Sequence, residues 1–284
     1  MRARMSTLAG LCVASSVFAQ DTPAKASFEV ASVRQCTDKE RGGNIDYAPD
    51  RLSVTCWPLR RIIQEAYDVF ASGAFDPRYP LPETPLEGLP DWADSGRYSF
   101  TAKTAGPVTR YMMRGPLMQT LLEDRFHLKI RTETREVPAF LLTVAKGGPK
   151  LTPAKPGRCT VLDPTDTSLK MTPEMPFCIV MPPGRKGSQY VLDVRGITLD
   201  ALAKRLRMDL PVIDRTGLTG AFDIYMEYTY EETKVSLPGG GEITETDRVG
   251  FVQAFRNQLG LEFVRGRGPR KFLVIDHMER LSEN

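Results

Sequence analysis

The clearest pattern in the sequence is the alternation of apolar and polar residues from Phe222 to Tyr228. The even-numbered positions are apolar, whereas Asp223, Tyr225 and Glu227 occupy the odd-numbered ones. A period of two predicts a strand with one face on a core, because successive side chains of a strand point to opposite faces. A helical pattern, a short apolar stretch and a glycine-containing turn precede it. The local prediction is therefore a helix–strand–turn–strand unit.

Apolar residues spaced three and four apart predict helices elsewhere in the chain. Gly115 and Pro116 must kink the second of these helices or start a new helix there. Thr198 suits the N-cap of the third, and Gly260 ends the fourth. The predicted helices cover residues 58–67, 111–124, 198–206 and 251–259.

Alternating segments predict further strands, two pairs of which are predicted to form hairpins. Residues 126–131 pair with 137–144, and residues 261–264 pair with 272–275 around Gly266, Gly268 and Pro269. Residues 231–247 are predicted to be an acidic, glycine-rich loop. Helices laid over mainly antiparallel strands predict an α+β fold built from repeated small helix-plus-antiparallel-strand units. The other predicted strands are 28–33, 51–55, 97–103, 189–195 and 212–214.

Residues 1–19 have the features of a secretory signal peptide. Arg2 and Arg4 give a basic start, an apolar run follows, and Val17 and Ala19 occupy the positions that determine cleavage. The apolar run is too short to span a bilayer, which needs roughly 20 residues. We expect cleavage after Ala19 and a product in the periplasm or outside the cell.

The charge of the mature chain is close to balanced. The sequence has 38 Lys and Arg against 35 Asp and Glu, and Arg2 and Arg4 are lost with the signal peptide. A nearly neutral chain has no electrostatic preference for nucleic acid or for an anionic membrane. We therefore expect no nucleic-acid partner, and no later segment is apolar and long enough to predict a transmembrane helix.

Cys36, Cys56, Cys159 and Cys178 remain after processing. An even number of cysteines in an exported protein favours disulfides, and four cysteines allow three connectivities. We favour Cys36–Cys56 and Cys159–Cys178, which close loops of similar length, each worth about 3 kcal/mol on the chain-entropy model. The alternative is a four-thiolate metal site, against which the lack of a C-x-x-C pair argues.

A proline-rich segment at 151–187, which carries the Cys159 and Cys178 pair, interrupts the pattern of helices and strands. Such a composition is typical of a linker or of a stapled surface loop. It divides the predicted chain into an N-terminal α+β lobe at 27–150 and a C-terminal α+β lobe at 188–284.

Five short motifs occur in order along the chain: FEVASV at 28–33, DRFHLK at 124–129, AKGGPK at 145–150, DRTGLTG at 214–220 and VIDH at 274–277. With these motifs the sequence resembles the soil-associated exported protein family of unknown function that is expanded in Acidobacteria. The resemblance implies export. It also implies membership of a family in which similar domains can be joined to membrane metallopeptidases of the antibiotic-sensor type. It supplies no catalytic residues.

The sequence contains two histidines, His127 and His277. The pattern predicts His127 on the polar face of a strand and His277 at a strand end. Asp276 cannot easily orient His277, because adjacent strand residues point to opposite faces. Without an H-E-x-x-H or G-x-S-x-G motif or a cysteine expected to be free, we do not expect an ordinary triad hydrolase or zinc peptidase. We assign no catalytic residue, metal ligand or cofactor.

The segment richest in polar residues and glycine contains Asp214, Thr216, Gly217, Thr219 and Gly220. Its hydroxyl groups and backbone amides could hold an anion or a ligand carboxylate. Alternatively it is a structural turn, in which the glycines supply positive φ and Asp214 and Thr216 bond the backbone. The sequence leaves both interpretations open.

Arg265, Arg267, Arg270 and Lys271 concentrate positive charge at the tip of the second predicted hairpin. They could contact a phosphate, an acidic glycan or lipid headgroups, or they could form a solvated tip. No aromatic residue is interleaved for base stacking, which again argues against nucleic acid. The acidic loop at 231–247 lacks the regular spacing of a calcium-binding loop.

Together these features favour a non-enzymatic, exported binding or interaction module whose partner is an unknown envelope protein or ligand. One alternative is an extracytoplasmic hydrolase that uses carboxylates alone. Another is a sensor domain for a cell-envelope ligand. A pocket with two convergent carboxylates would favour the hydrolase.

Overall fold

The computed structural model describes residues 25–37, 39–40, 42–68, 84–155, 157, 159–160, 166–168, 178, 184–206, 208–229, 231–236, 242–247 and 249–281. The predicted signal peptide and much of the proline-rich segment lie outside these residues. Within them the protein is α+β, as predicted, with helices packed against mainly antiparallel sheets.

The elements follow one another along the described chain with short strands between the longer ones. In order they are β1 (Val30–Gln35), β2 (Asn44–Ala48), β3 (Arg51–Pro58), α1 (Leu59–Asp68), β4 (Leu86–Glu87), α2 (Asp91–Asp94), β5 (Arg97–Lys103), α3 (Arg110–Arg114), α4 (Pro116–Phe126), β6 (Lys129–Val144), β7 (Thr152–Pro153), β8 (Gly184–Lys186), β9 (Gln189–Ile197), α5 (Leu199–Ala203), β10 (Val212–Asp214), β11 (Phe222–Tyr228), β12 (Glu231–Ser236), β13 (Glu242–Asp247), α6 (Val249–Ala254) with a π-helical continuation (Phe255–Leu259), and β14 (Leu261–His277).

The first sheet is antiparallel, with the strand order β1-β5-β3-β2. The prediction for 97–103 is confirmed by β5, and the strand predicted at 51–55 continues to Pro58. The strand predicted at 28–33 lies two residues later, and it pairs with β5 rather than with β3. The polar sequence of β2 was not predicted as a strand, although it pairs with β3 over its whole length.

Helices α1 and α4 cover one face of this sheet. Leu59 and Ile63 of α1 are fully buried, as the spacing of its apolar residues predicts. Pro116 starts α4 directly after α3, so the predicted break at Gly115 and Pro116 is confirmed. Phe126, the last residue of α4, packs edge-on against Tyr98 of β5 at 5.2 Å between ring centroids.

The second sheet is built around two long strands, and here both hairpin predictions are wrong. Strand β6 runs without a turn through its 16 residues, and β14 does so through 17. The two strands pair antiparallel with each other, from Leu261 opposite Val144 to His277 opposite Lys129. Short parallel partners complete the order β10-β6-β14-β4.

Close packing explains why turn-type residues lie inside β14. A Cβ atom at Gly268 would overlap the Cδ1 atom of Ile213 in β10, so a side chain there would force Ile213 to move. The stretch from Thr132 to Glu136, where the other turn was predicted, contains neither glycine nor proline. Glycine in a strand often marks the close approach of a neighbour rather than a reversal of the chain.

The third sheet is antiparallel, with the order β7-β11-β9-β8. The strand predicted at 222–228 is confirmed by β11, and its even-numbered residues are buried. The Thr198 hydroxyl accepts the N–H of Ala201, which confirms the predicted cap, but α5 ends at Ala203 rather than at residue 206. The loop predicted at 231–247 is wrong for residues 231–236 and 242–247, which form the antiparallel strands β12 and β13.

The buried residues form two hydrophobic clusters, and the long β6–β14 pair contributes to both. Leu273 and Ile275 of β14 lie in the first cluster with α1 and α4. Leu142 and Leu261 lie in the second with α5, α6 and β11. Each cluster therefore draws on both halves of the sequence, and the predicted division into two lobes stays a prediction.

Two disulfides, Cys36–Cys56 and Cys159–Cys178, are present, as predicted. They close loops with sequence separations of 20 and 19 residues. Among the described helices, none is both long and apolar enough to cross a membrane.

Candidate functional site

The metal-site alternative can be examined directly at the first disulfide. Among the described residues, Cys36, Glu40 and Cys56 are the single group of metal-ligating side chains whose ligand atoms lie within 4.8 Å of one another. Both sulfur atoms are used in the disulfide. Glu40 accepts two hydrogen bonds from Arg34, at 3.0 and 2.6 Å, and a third from the N–H of Thr37 at 2.8 Å. These residues therefore form a loop that is held by a disulfide and a salt bridge.

A pH dependence follows from this loop. The Arg34 hydrogen bond, helped by the Thr37 N–H, lowers the pKa of Glu40 from 4.5 to about 2. A lowered folded-state pKa means that the stabilising contribution of Glu40 is present above pH 4.5 and is lost as the pH falls toward 2. We expect an NMR titration of the Glu40 carboxyl to show this pKa. Arg34→Gln should raise the pKa toward the ordinary value, and Arg34→Lys should raise it less. Ordinary titration of Glu40 in the unmodified protein would contradict the prediction.

The two histidines meet at one carboxylate. The prediction that His127 lies on a strand is wrong. The residue follows α4 in the left-handed conformation. His277 ends β14, as predicted, and its Nε2 lies 2.8 Å from Glu279 Oε1. The Nε2 of His127 lies 3.9 Å from the other oxygen of Glu279, and Asp276 contacts Arg131 instead. All three side chains are about half exposed, and their ligand atoms are too far apart to enclose a metal ion.

Residues 214–220 form a turn held by their own side chains. The Asp214 carboxylate accepts the N–H of Thr216 at 2.9 Å and its hydroxyl at 2.7 Å. The Thr216 hydroxyl in turn accepts the N–H of Leu218. These bonds match the structural interpretation of the motif, while a ligand at Gly217, Thr219 or Gly220 stays a prediction.

The basic residues at 265–271 lie within a strand and not at a hairpin tip. Arg265, Arg267 and Lys271 occupy alternate positions of β14 and share one face, whereas Arg270 faces the other side. Arg267 donates to the carbonyl of Glu136 at 2.7 Å, and the Arg265 guanidinium lies 5.9 Å from the ring centre of Phe140. Their role as anion contacts is a prediction.

A cavity of about 200 Å³ lies where the chain before β1 crosses α4. The polar groups that face it are used to hold the chain in place. The Thr120 hydroxyl donates to the Ala26 carbonyl at 2.7 Å, and Arg125 donates to the Ala31 carbonyl at 2.9 Å. This cavity is therefore a gap between packed segments.

A wider groove, of about 290 Å³, lies at the edge of the third sheet, and we call it the sheet-edge groove. Four separate parts of the chain form it: residues 150–152 at the start of β7, strand β9, strand β11, and the π-helical continuation of α6. Its lining residues are Lys150, Thr152, Asp193, Arg195, Asp223, Ile224, Tyr225, Gln258 and Leu259.

The sheet-edge groove carries charges of both signs on the outer face of β9 and β11. Asp193 lies opposite Tyr225 in the strand register, and its Oδ1 is 4.0 Å from Nε of Arg195. The Asp223 carboxylate accepts the N–H of Gly196 at 3.1 Å, which fixes its position. Lys150 adds a second cation, whose Nζ donates to the carbonyl of Asn257 at 2.9 Å.

Tyr225 is the exposed aromatic residue of the sheet-edge groove, with 54% of its surface accessible. Its hydroxyl donates to the Glu227 carboxylate at 2.5 Å, and Lys186 donates to the same oxygen at 2.7 Å. The Lys186 and Tyr225 hydrogen bonds lower the pKa of Glu227, and the bond to Glu227 raises the pKa of Tyr225. This chain of contacts holds the phenol ring in one place.

Gln258 closes one end of the sheet-edge groove. Its side-chain amide pairs with the backbone of Glu227 at the open edge of β11. Gln258 Nε2 donates to the Glu227 carbonyl at 2.7 Å, and the Glu227 N–H donates to Gln258 Oε1 at 3.1 Å. β7 closes the other end, where Thr152 lies opposite Asp223.

None of these lining residues was assigned to a site from the sequence. The alternation in β11 did predict Asp223, Tyr225 and Glu227 on its polar face, and a tyrosine there was the available signal. Lys150 and Gln258 lie far from β11 in sequence, and only folding brings them to it.

Residues 61–278 match the model of a family described as protein of unknown function, DUF3738. The chain belongs to the DUF3738 family. The matched region of this DUF3738 protein contains the sheet-edge groove, both long strands and the second disulfide, but not Cys36 and Cys56. The family of unknown function expected from the motifs is confirmed in that coarser form. No curated protein and no solved structure matches the chain.

Proposed function

We propose that the protein is an exported, non-enzymatic binding module, and that the sheet-edge groove binds a small polar ligand carrying both charges. The observation that supports it is the convergence of Asp193, Asp223, Arg195 and Lys150 around one exposed tyrosine. Binding sites commonly combine a concave surface with a few placed polar groups. A groove with two acids and two bases complements a zwitterionic ligand better than a simple anion or cation.

Export is supported by the signal-peptide pattern at 1–19 and by the two disulfides, which persist in oxidising compartments. We propose a periplasmic or extracellular location and an envelope ligand or protein as the partner. The five motifs further suggest a soil-associated family expanded in Acidobacteria, and a sensor domain for a cell-envelope ligand is an alternative form of the binding function.

Binding can be tested by following the backbone amide signals of the oxidised, isotope-labelled protein. The probes are trialanine and glutamate at millimolar concentration, each of which carries both charges. We expect at least one probe to shift signals of the groove residues, and Asp193→Asn with Arg195→Gln to weaken its binding about tenfold. The matched control is Asp200→Asn with Lys204→Gln, an exposed acid–base pair on α5. Absence of any probe-dependent shift in the groove would overturn the proposal.

A hydrolase is the second candidate, because Asp193 and Asp223 line the same groove. Most glycoside hydrolases act through a pair of carboxylates. Hydrolysis of trialanine in the same samples would support this candidate if Asp223→Asn abolished it.

A further inference from the structure

The open edge of β11 offers one pair of backbone groups inside the sheet-edge groove. The Glu227 N–H points away from β9, because it donates to Gln258. Residues two apart in a strand direct their backbone groups to the same side. The N–H and C=O of Tyr225 therefore face the groove. Within the described part of the chain, no residue hydrogen-bonds to them on that side.

The neighbouring position shows which chemistry this edge accepts. At Glu227 an amide group fills it, with its N–H on the backbone carbonyl and its oxygen on the backbone N–H. The same pair of groups is presented at Tyr225, one step along the edge. Another amide can pair there in the same way, and a ligand can supply it.

We propose that the sheet-edge groove binds a short extended peptide, whose central residue pairs with the N–H and C=O of Tyr225 as an added strand. This inference rests on the proposed binding function of the groove and names its ligand class. An extended peptide gains affinity from such main-chain pairs at a sheet edge, while side-chain contacts give specificity.

The length of the open edge limits the peptide. β7 pairs at Asp223 and Gln258 pairs at Glu227, so the open stretch spans these four residue steps. At about 3.4 Å per step this is roughly 14 Å, enough for about three residues. The groove lining also includes Asp193, Arg195 and Lys150, whose charges of both signs suit a free tripeptide with two charged termini.

The test compares trialanine with the analogue that is N-methylated at its central amide. Methylation removes the N–H that would donate to the Tyr225 carbonyl, and it adds bulk at the strand edge. We expect at least about tenfold weaker binding of the analogue. The Tyr225 amide proton should exchange more slowly only with unmodified trialanine. Equal affinity of the two peptides, or an unchanged Tyr225 amide, would overturn the inference.

Gln258→Ala provides the complementary variant. It should free the Glu227 pair and lengthen the open edge, so pentaalanine should gain at least about threefold over trialanine. The unmodified protein should not distinguish the two peptides. If the variant, shown folded by its amide spectrum, also fails to distinguish them, strand addition at this edge is wrong.

The outcomes separate the two proposals. Binding of glutamate in the groove without binding of trialanine would overturn the peptide inference and leave the binding function standing. No shift in the groove with any probe would overturn both.

Discussion

Replacing Gly260 by alanine should lower the free energy of unfolding by at least about 3 kcal/mol. Gly260 ends the π-helical turn with φ 64° and ψ 29°, the left-handed conformation that costs a residue with a Cβ atom about 1–2 kcal/mol. A Cβ atom would also overlap the carbonyl oxygen of Gly148 and lie 2.9 Å from the N atom of Lys150. These neighbours are backbone atoms, so no side-chain rotation can relieve the overlap.

Gly187→Ala is the matched control for this prediction. Gly187 has a φ of 62°, but a Cβ atom there would meet no heavy atom within 4 Å. In the control, the free energy of unfolding should fall only by the cost of the left-handed conformation, about 1 kcal/mol. Denaturant unfolding of the oxidised proteins measures both losses. Equal losses would show that the close approach of Gly260 to the chain at 148–150 contributes nothing.

The same contact ties stability to the sheet-edge groove. The N–H of Lys150 donates to the Leu259 carbonyl at 2.8 Å, and both residues line the groove beside Gly260. Moving the chain at 148–150 to accommodate alanine would move one wall of the groove. We therefore expect Gly260→Ala, but not Gly187→Ala, to weaken trialanine binding.

Removing the Cys36–Cys56 disulfide by a double substitution to alanine should destabilise the protein by about 3 kcal/mol or more. The loop-closure part depends on the separation of 20 residues. A packing part is added, because Cys56 is 1% exposed within the first sheet. The Ser99 hydroxyl accepts the Cys56 N–H at 3.1 Å and lies 3.2 Å from the sulfur of Cys36, so it packs against the disulfide.

The double alanine variant of Cys159 and Cys178 is the matched control. Its separation of 19 residues gives almost the same loop-closure part, while its two cysteines are only half buried. We expect the first variant to lose about 1 kcal/mol more than the second, measured by denaturant unfolding. If reductant left the unfolding midpoint of the unmodified protein unchanged, the stabilising role of both disulfides would be refuted.

The local sequence pattern was sufficient to predict an element wherever one face of that element packs on a core. The buried face of α1, the alternation of β11, the cap at Thr198 and the break at Pro116 are all properties of consecutive residues. The disulfide pairs could also be predicted from the sequence, because cysteines that are neighbours in sequence close the shortest loops. An α+β fold follows from these elements.

The local sequence pattern gave wrong predictions where segments distant in sequence decide the conformation. Gly268 and Pro269 are typical of a turn, yet this stretch pairs with β6 and lies against Ile213 of β10, and it continues as a strand. His127 continues an alternating pattern, yet the end of α4 places it in a left-handed cap. In both cases tertiary packing outweighed the local preference.

The sequence by itself determined the class of fold, the stapled loops and the polar face of β11. Only the tertiary structure joined β6 to β14 across more than 100 residues and placed Gln258 and Lys150 at the edge of β11. The physical reason is that backbone pairing between strands leaves no periodic trace in either strand alone. The sheet-edge groove is therefore visible only in the folded chain.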